Sequence, residues 1–157
     1  MLGYFANQEA TEKSFNCHGY LMSGDLGSFD AAGNLRIEGR IKDLIIRGGH
    51  NIYPSRIEAL ALTHPAVKKA AAFGVPDQRL GERVCLAIVG EVDAAELLTH
   101  LAAQSLSKYD MPEWFVAVSA LPLTPSGKIL KRELIAMVTR GELTPDPVRY
   151  VAGKSGT

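Results

Sequence analysis

Four short stretches combine residue types that can do chemistry. In Thr124-Pro125-Ser126-Gly127-Lys128, proline and glycine constrain a loop that projects one lysine. A projected ammonium can neutralise charge that develops during acyl or phosphoryl transfer. The loop is not a phosphate-binding P-loop, because the earlier glycine required at fixed spacing is missing. A plain surface lysine is the competing reading. In Ser23-Gly24-Asp25, a carboxylate on a turn can accept two hydrogen bonds from a vicinal diol such as a ribose, although an aspartate also stabilises its own turn. Arg40 and Lys42 lie two residues apart and share a face if they sit on a strand. Arg40 can hold an anion or a ribose edge with its planar fork, whereas Lys42 is a flexible point charge; a solvated basic edge is the alternative. Gly48-Gly49 lets a ligand or another chain approach the backbone, because neither residue has a Cβ. The same residues, with His50 after them, also suit a hairpin turn with charged ends.

The elements that must position these residues differ on the two sides of the stretch from Gly39 to Pro54. Before it, glycines and asparagines punctuate the chain into short strands and turns, and Asp30-Ala31-Ala32-Gly33-Asn34 suits a hairpin loop. Residues 1–38 hold too few apolar side chains to close a core alone and read as the torn edge of something larger. After it, Ser55-Arg56-Ile57-Glu58 fits a capping box for a helix that His64-Pro65 stops. Val67 to Val75 reads as a strand, and Arg83 to Val89 as a central strand apolar on both faces. Asp93-Ala94-Ala95-Glu96 opens a second helix with Leu97, Leu98, Leu101, Ala102 and Leu106 at helical spacing. Trp114 to Val118 is a further strand, and a last helix runs from about Ile129 to Val138. The order predicts an α+β domain, a small mixed sheet with about three helices.

Composition narrows the function classes. The 157 residues are 46% hydrophobic and 22% charged, as in ordinary globular proteins. Seventeen basic residues balance 17 acidic ones, so no global field draws nucleic acid or an anionic membrane. The longest apolar run, Val84 to Val89, falls far short of the roughly 20 residues of a membrane span, and no secretory leader is visible. Cys17 and Cys85 make neither a metal-ligand spacing nor a disulfide framework, and Cys85 reads as a buried, inert thiol. No metal site is expected, and a reducing cytoplasm is the expected location.

Taken together, Tyr20-Leu21-Met22-Ser23-Gly24-Asp25, Gly39-Arg40-Ile41-Lys42-Asp43, Gly48-Gly49-His50-Asn51-Ile52-Tyr53-Pro54 and Pro125-Ser126-Gly127-Lys128 resemble, in order, the last part of the adenylate-forming (AMP-binding) enzymes. That superfamily includes acyl-CoA synthetases, peptide-synthetase adenylation domains and firefly luciferases. The resemblance covers nearly the whole chain, Met1 to Val138, and the Gly-Gly-x-Asn-Ile-Tyr-Pro segment is similar to that of the fatty- and aryl-acid CoA ligases. It implies a C-terminal lid domain that turns against a larger domain between two half-reactions. A carboxylic acid and ATP give acyl-AMP and pyrophosphate; CoA thiolate then displaces AMP. Carried over by position, Asp25 and Arg40 bind the nucleotide, Lys42 is the hinge, Lys128 enters the active site for adenylation, and Gly48, Gly49 and His50 line the CoA tunnel. Ser23 stands where threonine is usual, and His50 where glutamate is common.

The resemblance divides the chain into a remnant of the large domain (1–38), a hinge (39–43), the lid (44–140) and a flexible tail (141–157). ATP with Mg²⁺ would be bound mainly by the large domain, which is the expected partner together with the acid and CoA; neither nucleic acid nor a membrane is expected to be one. The phosphate loop and acyl pocket of the family do not occur here, so the chain alone is expected to be inactive. Alternatives are a stand-alone, non-catalytic lid-like module, or the lid of a peptide-synthetase or luciferase-like adenylating enzyme.

Overall fold

The computed structural model describes residues 2–150. The chain falls into two compact units, one ending at Lys42 and one beginning at Asp43. In the first, a short helix, α1 (Gln8–Lys13), precedes a two-stranded hairpin of β1 (Asp25–Phe29) and β2 (Leu35–Arg40). Sequence reading expected only strands and turns here. The helix forms through local bonds that a periodicity search overlooks: Asn7 caps it by accepting from the Ala10 N–H, and Lys13 pairs with Glu9 one turn back. The Asp30–Asn34 loop is as expected. The Asp30 carboxylate accepts from the Ala32 and Asn34 N–H groups and from the Asn34 side chain, and this bonding, led by Asn34, holds its carboxyl below the usual range. None of the unit's described residues is buried.

The second unit is built on a long hairpin of β5 (Val67–Asp77) and β6 (Gly81–Gly90). It lies in a six-stranded mixed sheet with β3 (Ile45–Arg47), β4 (His50–Ile52), β7 (Trp114–Ala117) and β8 (Asp146–Pro147). β6 runs antiparallel to β5 and parallel to β7. Its side chains alternate between two cores. Val84, Leu86 and Ile88 pack with helices α2 (Pro54–Ala61) and α3 (Ala94–Ala103), while Cys85 and Ala87 pack with α4 (Lys131–Thr139) through Leu134. Helices therefore cover both faces, which is why β6 lacks the alternation of a half-exposed strand.

Helix α3 begins as expected, with the Asp93 side chain accepting from the Glu96 N–H and Leu97, Leu98 and Leu101 buried. Helix α2 does not use the expected capping box. Pro54 is its first residue and Tyr53 takes the cap position without a side-chain bond, so Ser55 already lies inside the helix. Glu58 turns instead to the outer edge of β5, accepting from the Ala72 N–H at 2.8 Å and from Lys131 Nζ at 2.8 Å. A buried edge amide outcompetes a solvated helix end for that carboxylate. Helix α4 starts at Lys131 rather than Ile129, because Ile129 is held opposite Leu123 in a β-bridge.

The tail expected to be mobile from 141 is structured as far as it is described. Asp146–Pro147 pairs with β7, Leu143 packs on the core under α4, and Val148 and Tyr150 pack on the core under α2 and α3. Residues 151–157, the rest of that tail, lie outside the described residues.

Cys85 is fully buried, and burial pushes its thiol up to about 12, while Cys17 is exposed. A chromogenic disulfide at pH 8 is expected to titrate one thiol in the native protein and two after unfolding. Equal reaction rates for both native thiols would contradict the packing.

Candidate functional site

The Lys128 loop is a tight turn tied to itself. Thr124 N–H donates to the Lys128 carbonyl and Gly127 N–H to the Thr124 carbonyl, both at 2.8 Å. Thr124 Oγ1 accepts from the Lys128 N–H at 2.9 Å and contacts Ser126 Oγ at 2.9 Å. The base of the loop closes through Leu130 N–H to the Pro122 carbonyl and the Leu123–Ile129 bridge. Lys128 is exposed at this tip, and no ion pair engages it among the described residues. By contrast Lys131, three residues on, is committed to Glu58 with its side chain 19% exposed. An ammonium on a stiff turn, without a carboxylate to neutralise it, is available to an anion brought from outside.

Gly48 and Gly49 form the two-residue turn between β3 and β4, with φ of +57° and +84°. Both values lie in the left-handed region, as a type I′ hairpin turn requires. The hairpin reading therefore holds in geometry, and the Gly48 N–H reaches the Leu80 carbonyl at 2.7 Å. The turn that presents Leu80 is shaped by Asp77, which accepts from the Leu80 and Arg79 N–H groups and pairs with Arg83. These bonds, the Leu80 amide first, hold the Asp77 carboxyl below its usual range. On either side of the glycines, Arg47 and His50 face each other across the hairpin. Arg47 forks onto Glu113 at 2.7 and 2.8 Å, and His50 Nε2 lies 2.7 Å from Asp110 Oδ1.

Beside this hairpin lies a cleft of about 520 Å³ whose walls include Arg47, Arg79, Arg83, Lys108, Arg149 and Tyr150. Glu113, also in the wall, pairs with Arg47 and shares Arg83 with Asp77. Arg79, Lys108 and Arg149 form no ion pair among the described residues, so the cleft keeps a positive balance suited to phosphates.

In the first unit, Asp25 and Arg40 are paired opposite each other at the end of the β1–β2 hairpin, with Arg40 Nε 3.0 Å from Asp25 Oδ1. A carboxylate and a guanidinium side by side present acceptors and donors to one diol. The condition for Arg40 and Lys42 to share a strand face is not met: β2 ends at Arg40, and Lys42 sits in a single 3₁₀ turn, Ile41–Asp43. That turn contains the division between the two units.

Such a fold and set of loops define a class. Residues 56–128 match the family model for the AMP-binding enzyme C-terminal domain. The chain belongs to the AMP-binding, adenylate-forming enzymes and carries their C-terminal domain. Among curated relatives, it is 43% identical over 136 residues to the salicyl-AMP ligase / salicyl-S-ArCP synthetase of Mycobacterium tuberculosis, covering 85% of this chain and 24% of that protein. It is 39% identical over 137 residues to the mitochondrial medium-chain acyl-CoA ligase ACSF2 of Bos taurus, covering 85% of this chain and 22% of that protein. Among solved structures it resembles ATP-bound MatB from Rhodopseudomonas palustris, with TM-score 0.76, 37% identity and coverage of 86% and 27%. It also resembles the o-succinylbenzoate CoA synthetase MenE from Bacillus subtilis in complex with its acyl-adenylate, with TM-score 0.78, 39% identity and coverage of 84% and 27%. The chain thus spans about a quarter of the length of the relatives it matches.

Sequence reading missed Asp110, Glu113, Arg79 and Lys108. Their partners lie 60 and 66 positions away for the two acids, and no local pattern announces such a pairing. Replacing Thr124 by valine removes the acceptor for the Lys128 amide, a bond of about 1 kcal/mol. Thr124→Val is expected to speed hydrogen exchange at the Lys128 amide about fivefold while leaving the β5–β6 amides protected, as read by NMR.

Proposed function

We propose that this chain is the C-terminal lid of an AMP-forming acyl-CoA synthetase, which converts a carboxylic acid, ATP and CoA to acyl-CoA, AMP and pyrophosphate through an acyl-adenylate. The observation that carries the reading is Lys128, an unneutralised ammonium exposed at the tip of a self-tied loop. In the adenylating arrangement it steadies the substrate carboxylate and α-phosphate as the new bond forms, and electrostatic stabilisation of this kind contributes on the order of 10² to 10³ in rate. Asp25 and Arg40 hold the ribose and its nucleotide. Lys42, in the turn that divides the two units, is the hinge whose backbone rotation exchanges one lid face for another. In the second arrangement the Gly48-Gly49 turn, with His50, borders the path of the thiol arm. The neighbouring cationic cleft suits the phosphates of CoA. ATP with Mg²⁺ is held mainly by a large domain outside this chain, and the chain alone is inactive. Two unpaired cysteines, one of them exposed, suit a reducing cytoplasm.

A second reading has one observation in its favour: a relative at 43% identity is a salicyl-S-ArCP synthetase, so the accepting thiol need not be that of CoA. Thioester formation with CoA as the sole thiol separates the two.

Joined to its large domain, the chain is expected to support acid-dependent exchange of pyrophosphate into ATP. Lys128→Ala should reduce that exchange at least about 10²-fold while sparing thioester formation from preformed acyl-AMP; equal loss of both half-reactions would remove the assigned role. Lys42→Pro fixes φ at the hinge and is expected to slow at least one half-reaction, whereas unchanged kinetics for both would end the hinge assignment.

A further inference from the structure

We propose that Asp110 and Glu113 are positioning residues that set the pose of the Gly48-Gly49 turn, acting through His50 and Arg47. The hairpin of β3 and β4 has three residues in each strand, and so short a ribbon does not hold its own shape in water. Its ladder to the rest of the sheet is short, and the Ile46 N–H adds one bond, to the Glu82 carboxylate at 2.7 Å. β3 meets β6 at the single pair Arg47–Gly81, and β4, at the end of the strand order, pairs with β3. At the base of the hairpin, Ile45 and Ile52 are buried and anchor it in the core. At the tip the glycines are exposed and have no side chains of their own, and the Leu80 side chain lies against Gly48.

Charge adds a second restraint at the tip. Arg47 and His50 are the last paired residues before the turn, and each is gripped by one carboxylate. Both carboxylates come from one segment, three residues apart, between α3 and β7. That segment is rigid: Met111 and Pro112 are buried, Glu113 N–H donates to the Val84 carbonyl at 2.9 Å, and the Glu113 carbonyl accepts from Val148 at 2.9 Å. Asp110, with its side chain 15% exposed, is itself well enclosed and aims at a His50 side chain that is 49% exposed. The Tyr109 ring meets His50 edge-on at 6.2 Å between centroids. One stiff support therefore pinches the two bases that frame the glycines, and Gly48 is left with its N–H on the Leu80 carbonyl. Charged hydrogen bonds are about twice as strong as neutral ones, which suits them to restrain a turn that glycine leaves floppy.

The clamp itself is a property of this chain. Its consequence for the thiol half-reaction rests on the function proposed above, and the experiment separates the two. In the 157-residue chain, Asp110→Ala and Glu113→Gln are each expected to raise amide exchange at Gly48 about fivefold or more, and the double variant further, with amides of the β5–β6 ladder unchanged. The exchanged pair His50→Asp/Asp110→His should return Gly48 towards its original protection. Unchanged Gly48 exchange in both single variants and the double one would overturn the clamp. In the protein joined to its large domain, Asp110→Ala, which leaves the cleft's charge unchanged, should raise KM for the thiol or slow thioester formation from preformed acyl-AMP by about fivefold, with pyrophosphate exchange within twofold. Loosened exchange at Gly48 with unaltered thiol kinetics would uphold the clamp and remove the hairpin from the thiol step. Equal loss of both half-reactions would overturn positioning in favour of general damage.

Discussion

The pairing of β5 with β6, buried on both faces, is the constraint from which the second unit follows. Every backbone amide in such a pair must find a partner within the protein. β6 does so between β5 and β7, and on the outer edge of β5 the Ala72 amide finds the Glu58 carboxylate. Alternate side chains of β6 then require helices above and below, which places α2 and α3 on one face and α4 on the other. At one end of the ladder the Asp77–Gly81 turn offers the Leu80 carbonyl to the Gly-Gly hairpin. At the other end the backbone of Gly90 lies so close to Ala66 that a Cβ would sit 2.1 Å from its carbonyl oxygen. The Gly48-Gly49 turn is thus tied to one end of this strand pair.

The cations of the second unit divide into a paired and an unpaired set. The chain is neutral overall, yet several of its cations in the second unit are spent on half-buried ties, Arg47 and Arg83 on Glu113, Arg83 on Asp77, Lys131 on Glu58. Partial burial makes these pairs more than the weak surface contacts seen at Lys13–Glu9. Among the described residues Lys128, at the projecting loop, and Arg79, Lys108 and Arg149, at the cleft, stay outside such ties, as do Arg56, Lys68, Lys69 and Arg132 elsewhere on this unit. A cation without an internal partner can serve an external anion at no cost in broken pairs.

The first unit is of another kind. Its hairpin is regular and its turn well bonded, but it buries none of its described side chains and leaves Phe29, Leu35 and Ile37 exposed. What it contributes is the Asp25–Arg40 pair, two groups of complementary hydrogen-bonding character fixed in register by strand pairing. The 3₁₀ turn that follows is short and exposed at Lys42, a modest obstacle to backbone rotation there.

The sequence by itself determined the α+β class, the strands at Val67 and Arg83, the Asp93 cap, the Asp30 turn and the projection of Lys128. Each of these depends on neighbours within a few residues, or on a periodicity that survives in one dimension. The family was legible for a similar reason, since its motifs are contiguous words. Only the tertiary structure decided that Glu58 serves Ala72 and Lys131 rather than a capping box, that Val148 and Tyr150 dock the tail, and that Asp110 and Glu113 meet His50 and Arg47. In those cases a polar or apolar group had several local options, and the winner was a partner far along the chain whose burial made leaving it unsatisfied the most costly choice.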